Sequence, residues 1–162
     1  MKTLIFSRHA KSSWSDISLS DIERPLNQRG RRDAPVMARK VQEKISHIEF
    51  CVMSPSQRTR ETAAYYQEVF DFDQVEVVQR LYHASIDDVL DTISMLDDQY
   101  NSAILFGHNP TFTFLYDHFA HDDLDNLPTS GVFFVQSRAQ SWSDIDTTNS
   151  EVVALLYPKM YL

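Results

Sequence analysis

The chain has 162 residues, 43% of them hydrophobic, a formal net charge of -8 and a single cysteine. That length buries one substantial core and no Pro/Gly/Ser-rich linker divides it, so residues 1–162 are expected to form one domain. The acidic balance argues against nucleic acid as a general partner; Cys51 has no disulfide partner and reads as core; and the absence of a membrane-length or signal-like apolar run makes a cytoplasmic protein without a membrane partner the expectation.

In chain order, a strand-like run at residues 3–6 leads into Arg8-His9-Ala10-Lys11-Ser12. The connection that follows, residues 11–28, is long, and loops of that kind over a ligand crevice are usually functional or mobile. It is expected to shape the mouth of a site. Asp16, Asp21 and Glu23 read as solvated loop charges, and Trp14 as a ring packed under the loop. Helical periodicity covers residues 31–45, preceded by Gly30 among Arg29, Arg31 and Arg32, which read as a solvated basic face. A strand at 50–53 leads into Ser54-Pro55-Ser56-Gln57-Arg58 and a helix over 57–70. A strand at 75–78 and a helix at 87–96 come next. The strand at 103–106 leads into Gly107-His108-Asn109-Pro110 and a helix over 111–119. Strands at 132–135 and 152–156 close the chain, joined by a polar hairpin connection at 137–150. The alternation predicts an α/β protein, a three-layer α/β/α sandwich around a mostly parallel sheet.

Three polar clusters thus follow strand ends, and open α/β sheets bind ligands at the carboxyl ends of their strands. His9 is the candidate nucleophile toward phosphorus, with Arg8 as a guanidinium fork on the phosphoryl oxygens. The structural alternatives are a strand-end histidine bonded to a backbone carbonyl and an arginine in an internal salt bridge. Ser54 as N-cap with Pro55 at the first helical position sets Arg58 at the start of a helix, where a cation faces the positive end of the dipole. A bound phosphate would supply the missing anion. Arg60, on another face, reads as surface. His108 is assigned to the phosphoryl oxygens as donor or cation, and Asn109 chiefly to its turn. Lys11, Ser12 and Asn109 are secondary candidates for substrate binding. His118, His121, Asp122 and Asp123 gather near a helix end, which an acidic loop explains, and the chemistry calls for no metal or cofactor.

Through Arg8-His9-Ala10-Lys11-Ser12, Ser54 to Arg58 with Thr62-Ala63, and Gly107-His108-Asn109-Pro110, the chain resembles the histidine phosphatase superfamily, most closely its small SixA-type phosphohistidine phosphatases. The likeness spans nearly the whole chain. It implies a phosphoglycerate-mutase-like fold, with Arg8, His9, Arg58 and His108 as catalytic and phosphate-binding residues. Thr111 stands where many relatives have glycine. The wider superfamily supplies a carboxylic acid after its third strand, whereas this chain reads Arg80-Leu81-Tyr82-His83-Ala84-Ser85. An alkoxide leaving group needs such an acid; the imidazole of phosphohistidine is protonated on its other nitrogen. With no large insertion to cap the site, the expected substrate is phosphohistidine on a protein, such as a phosphorelay or phosphotransfer component. Two alternatives remain open: a small-molecule phosphomonoesterase or phosphomutase with His83 or Asp87 as acid, and a non-catalytic phosphate-binding interaction module. Titration of His9 in acid and of His108 at higher pH is expected to bound activity.

Overall fold

The computed structural model describes residues 1–162. Its strands are β1 (Lys2–Arg8), β2 (Phe50–Met53), β3 (Gln74–Val77), β4 (Ser102–Gly107), β5 (Val132–Ser137) and β6 (Ser150–Leu156), and its helices α1 (Gln28–Lys44), α2 (Gln57–Gln67), α3 (Ile86–Ser94) and α4 (Thr111–Ala120). One sheet runs in the order β3-β2-β4-β1-β5-β6. Pairing is parallel from β3 across to β1, and antiparallel from β1 to β5 and from β5 to β6. This is the expected α/β arrangement around a mostly parallel sheet.

The central strands read as unbroken apolar runs because both faces of the sheet are covered. Leu4, Phe6, Val52 and Leu105 pack with Val89 of α3 and Phe112 of α4. Ile5, Cys51 and Ile104 point the other way, onto Met37 of α1 and Tyr66 of α2. The alternation of adjacent residues between two cores makes the sandwich three layers thick. The residue 137–150 connection is the expected hairpin link, but it is not wholly polar: Trp142, in the short turn Trp142–Asp144, is 1% exposed and joins the α3/α4 core. No helix is long and apolar enough to cross a membrane.

Two helix starts differ from the sequence reading. Asn27 caps α1 by accepting the Gly30 N–H at 2.9 Å, so the helix begins before its apolar periodicity does. The N-cap of α2 is Ser56, not Ser54, and Pro55 lies outside the helix. Ser54 is otherwise engaged, with its hydroxyl 2.8 Å from His108 Nε2. Arg58 is nonetheless the second residue of α2, so its placement near the positive end of the helix stands.

Parallel register brings the three polar clusters together. Arg8 pairs with Gly107, and the ladder continues one step as the His9 N–H donates to the Gly107 carbonyl at 3.1 Å. On the other side of β4, the Ser54 N–H donates to the Phe106 carbonyl at 3.1 Å. His9, Ser54 and His108 therefore leave three adjacent strands at one edge of the sheet. The long first connection is tied down beside them. The Lys11 carbonyl accepts the Asn27 N–H at 2.9 Å, and Ser12 bridges to Leu26. Gly30 lies so close that a Cβ there would sit 2.2 Å from the Lys11 oxygen.

Candidate active site

A crevice of about 560 Å³ opens over these strand ends, with Arg8, His9, Arg58 and His108 in its walls. His9 is 7% exposed, and its Nδ1 lies 2.7 Å from the carbonyl oxygen of its neighbour Ala10. That carbonyl can only accept, so the ring donates from Nδ1 and carries its lone pair on Nε2. The backbone bond that a structural histidine would make here sets the tautomer a nucleophile needs. Burial, followed by the nearby charges of Arg58 and Arg8, outweighs the Ala10 bond and holds the ring's pKa down to about 3. His9 is thus neutral at physiological pH. Its turn is anchored to α2: the Ala10 N–H donates to Thr62 Oγ1 at 2.9 Å, and Thr62 donates to the Arg58 carbonyl at 2.7 Å.

Arg8 makes no ion pair. Its Nη1 donates to the Leu127 carbonyl at 2.9 Å, and its Nε is buried without a protein partner. Burial, and then the charge of Arg58, lower its pKa from the usual guanidinium value. Arg58 is 6% exposed and does have an anion, supplied by the protein itself. It donates through Nη1 to the Asp21 carbonyl at 2.7 Å and through Nη2 to Asp21 Oδ2 at 3.0 Å. Asp21 is therefore not a solvated loop charge. It sits in the single turn Asp21–Glu23, where it also accepts from Tyr82 Oη at 2.5 Å and from Arg24 Nη2 at 3.2 Å. Burial raises its pKa, but the bonds from Tyr82, Arg58 and Arg24 and the charge of Arg58 more than reverse this, and its net shift is well below the ordinary carboxylate range. Asp21 is the only carboxylate lining the crevice.

His108 faces His9 with ring centroids 5.3 Å apart. Burial and then the charge of Arg58 push its pKa down to about 3. It is accordingly a neutral ring, not a cation. The expected loss of a His108 proton on the alkaline side of neutrality does not apply to a ring already neutral there. With Nδ1 3.5 Å from Arg58 Nη2, the lone pair belongs on Nδ1 and the Nε2–H points to Ser54.

The secondary candidates separate. Lys11 lines the crevice. Ser12 lines it too, but its hydroxyl accepts from Arg24 Nη1 at 2.8 Å. Both ends of the Asn109 amide are used internally: its nitrogen donates to the Asn126 side chain and the Leu127 carbonyl, and its oxygen accepts from Thr113. Trp14 is not packed beneath the loop. It is 69% exposed with the Arg24 guanidinium 3.5 Å over its ring. Of the two suggested acids, His83 lines the crevice and adopts φ 56°, whereas Asp87 does not line it. Arg60 is exposed, as expected, and donates to the Pro55 carbonyl. His118 lies in the last turn of α4 and His121 caps it.

Sequence reasoning missed Asp21 and Tyr82. The available signal was faint: an Asp and an Arg three apart ahead of Pro25, and a tyrosine next to His83 after the third strand.

The family model for the histidine phosphatase superfamily (branch 1) matches residues 4–89. The chain belongs to that family. The uncharacterized protein ML1117 of Mycobacterium leprae is 27% identical over 164 residues, covering 94% of this chain and 99% of that one. Among solved structures, a candidate phosphohistidine phosphatase SixA from Nakamurella multipartitia superposes with a TM-score of 0.85 at 20% identity, over 97% of this chain and 96% of that one. The protein histidine phosphatase SixA complexed with tungstate gives 0.81 at 19% identity, over 98% of both chains. These two share the fold with this chain.

Proposed function

We propose that this chain hydrolyses phosphohistidine on a partner protein through a covalent intermediate on His9. The observation that carries the reading is the state of His9: a neutral ring whose Nδ1 is committed to a backbone carbonyl and whose Nε2 lone pair is free beside two arginines. In the first step Nε2 attacks phosphorus and the bond from phosphorus to the substrate's imidazole breaks, its electron pair returning to that ring. The departing imidazole is already protonated on its other nitrogen and leaves neutral. In the second step water attacks phosphorus, the Nε2–P bond breaks, and phosphate and free His9 result. Arg8 and Arg58 hold the phosphoryl oxygens, and His108 joins them once the phosphoryl charge favours its protonation.

The proposed substrate class is supported by the state of Asp21 and Tyr82 in the crevice. Asp21 is held ionised, so it has no proton for an alkoxide. Burial, and then Asp21 itself, raise the pKa of Tyr82, which makes its hydroxyl a still weaker acid. A phosphoester needs such a proton and an N-phosphorylated imidazole does not. SixA-type relatives of the same fold carry the phosphohistidine name, which agrees with this preference.

His83 at the crevice wall favours a second reading, a phosphomonoesterase with that imidazole as acid. Turnover of a phosphohistidine protein and of small phosphomonoesters should be compared in wild type and His83→Gln. Preferred P–N cleavage that survives the substitution is expected. Faster ester cleavage that collapses in His83→Gln would establish the second reading instead.

A further inference from the structure

A second pocket of about 420 Å³ adjoins the crevice and shares Arg8, Lys11 and Thr129 with it. Arg29 and Lys159 complete its cationic lining, and no carboxylate contributes to it. In a chain with 23 acidic and 15 basic residues, four bases meeting around one concavity without an acid is opposite to the average surface. These cations are also little used within the protein. Lys11 and Lys159 make no ion pair, and Arg29 reaches Asp33 only through Nε at 3.6 Å, which leaves its terminal nitrogens free. They come from four separate segments: the end of β1, the first connection, the first turn of α1 and the C-terminal turn Pro158–Met160. Folding has assembled a positive field that the fold itself does not neutralise.

We propose that this pocket receives carboxylate side chains flanking the phosphohistidine of the partner protein, so that the substrate is recognised by its phosphoryl group in the crevice and by an acidic flank in the adjoining pocket. This rests on the proposed phosphohistidine activity and adds the partner's chemistry to it. Exposed lysine and arginine on a rim suit a protein surface, where charge complementarity supplies specificity and encounter rate more than binding energy. Lys159 and Arg29 are both exposed, and neither belongs to the crevice that surrounds His9.

The test compares two phosphohistidine peptides that differ only in Asp and Glu against Asn and Gln around the modified residue, with phosphoramidate as a small P–N substrate. The wild type is expected to favour the acidic peptide by about tenfold in kcat/KM, with the gap closing at high salt as exposed charges are screened. Lys159→Glu, and separately Arg29→Gln, should erase the preference while phosphoramidate turnover stays within about twofold. Equal use of the two peptides by the wild type, or a preference unchanged in both variants, would overturn the proposal while leaving P–N cleavage standing. Inorganic pyrophosphate is the competing probe. If it inhibits in a Lys159-dependent way while the acidic peptide has no advantage, the pocket takes a second phosphoryl group instead. Failure of all three P–N substrates would remove the activity, and this inference with it.

Discussion

Asp21→Asn preserves the shape of the side chain and removes the anion that Arg58 holds. The carboxylate accepts from Arg58 at 3.0 Å, from Arg24 at 3.2 Å and from Tyr82, and an amide oxygen cannot serve all three at the same strength. A charged hydrogen-bond network of this kind contributes about 1.5–3 kcal/mol per bond when buried. The side chain is 40% exposed, so solvent screening reduces the expected loss to about 1–2 kcal/mol, or roughly 3–6 °C in Tm for a chain of this size. Anion binding should move in the opposite direction. Two anions sharing one guanidinium lie about 6–7 Å apart, and at a water-like dielectric a carboxylate repels a phosphoryl dianion by about 1 kcal/mol at that separation. Inorganic phosphate or tungstate should therefore bind Asp21→Asn about five- to tenfold more tightly, measured as competitive inhibition alongside thermal melts. Tyr82→Phe, which leaves the carboxylate in place, should barely change anion affinity. Weaker anion binding in Asp21→Asn would refute the reasoning, because it would make Asp21 a support that Arg58 needs rather than a rival for its donors.

Other consequences are equally direct. His9 and His108 both titrate near 3 in the folded chain against an ordinary value of 6.5, so the unfolded chain takes up protons that the native one refuses. Stability should fall as pH drops from about 6.5 toward 3, by an amount on the order of a few kcal/mol; thermal melts that stay flat to pH 4 would contradict both placements. Asp21 adds a loss only below the ordinary carboxylate range, since its folded pKa is depressed. Gly30→Ala drives a methyl into the Lys11 carbonyl and should cost at least about 2 kcal/mol and reduce activity by displacing the turn after His9, measured by denaturant unfolding and turnover. Thr62→Val leaves the Ala10 N–H buried without its acceptor, which should cost about 1–3 kcal/mol, and turnover should fall further than stability accounts for.

The strands and the four arms of the crevice were legible in the sequence because the physics is local. Apolar runs such as Leu4-Ile5-Phe6, Cys51-Val52 and Ile104-Leu105 identify strands covered on both faces, and polar residues directly after β1, β2 and β4 meet once those strands run parallel. Asp21 was not legible. Its role depends on how an irregular connection folds back over α2, and no periodicity in residues 11–28 reports that path. The N-cap of α2 was misread for a related reason: Ser54 and Ser56 are chemically equivalent candidates, and only the nearby His108 ring occupies the first and frees the second to cap. The neutral state of His108 likewise follows from its burial beside Arg58, a long-range contact between α2 and the end of β4.

The central claim is the nucleophile, and trapping the phosphorylated enzyme tests it most directly. The chain should be mixed with a phosphohistidine protein, quenched within milliseconds, and the adduct located by mass spectrometry and by the phosphorus coupling pattern of the modified ring. The account predicts a transient phosphoryl group on His9 at Nε2, absent from His9→Ala. A phosphoryl group on His9 Nδ1, on His108, or persisting in His9→Ala would contradict it.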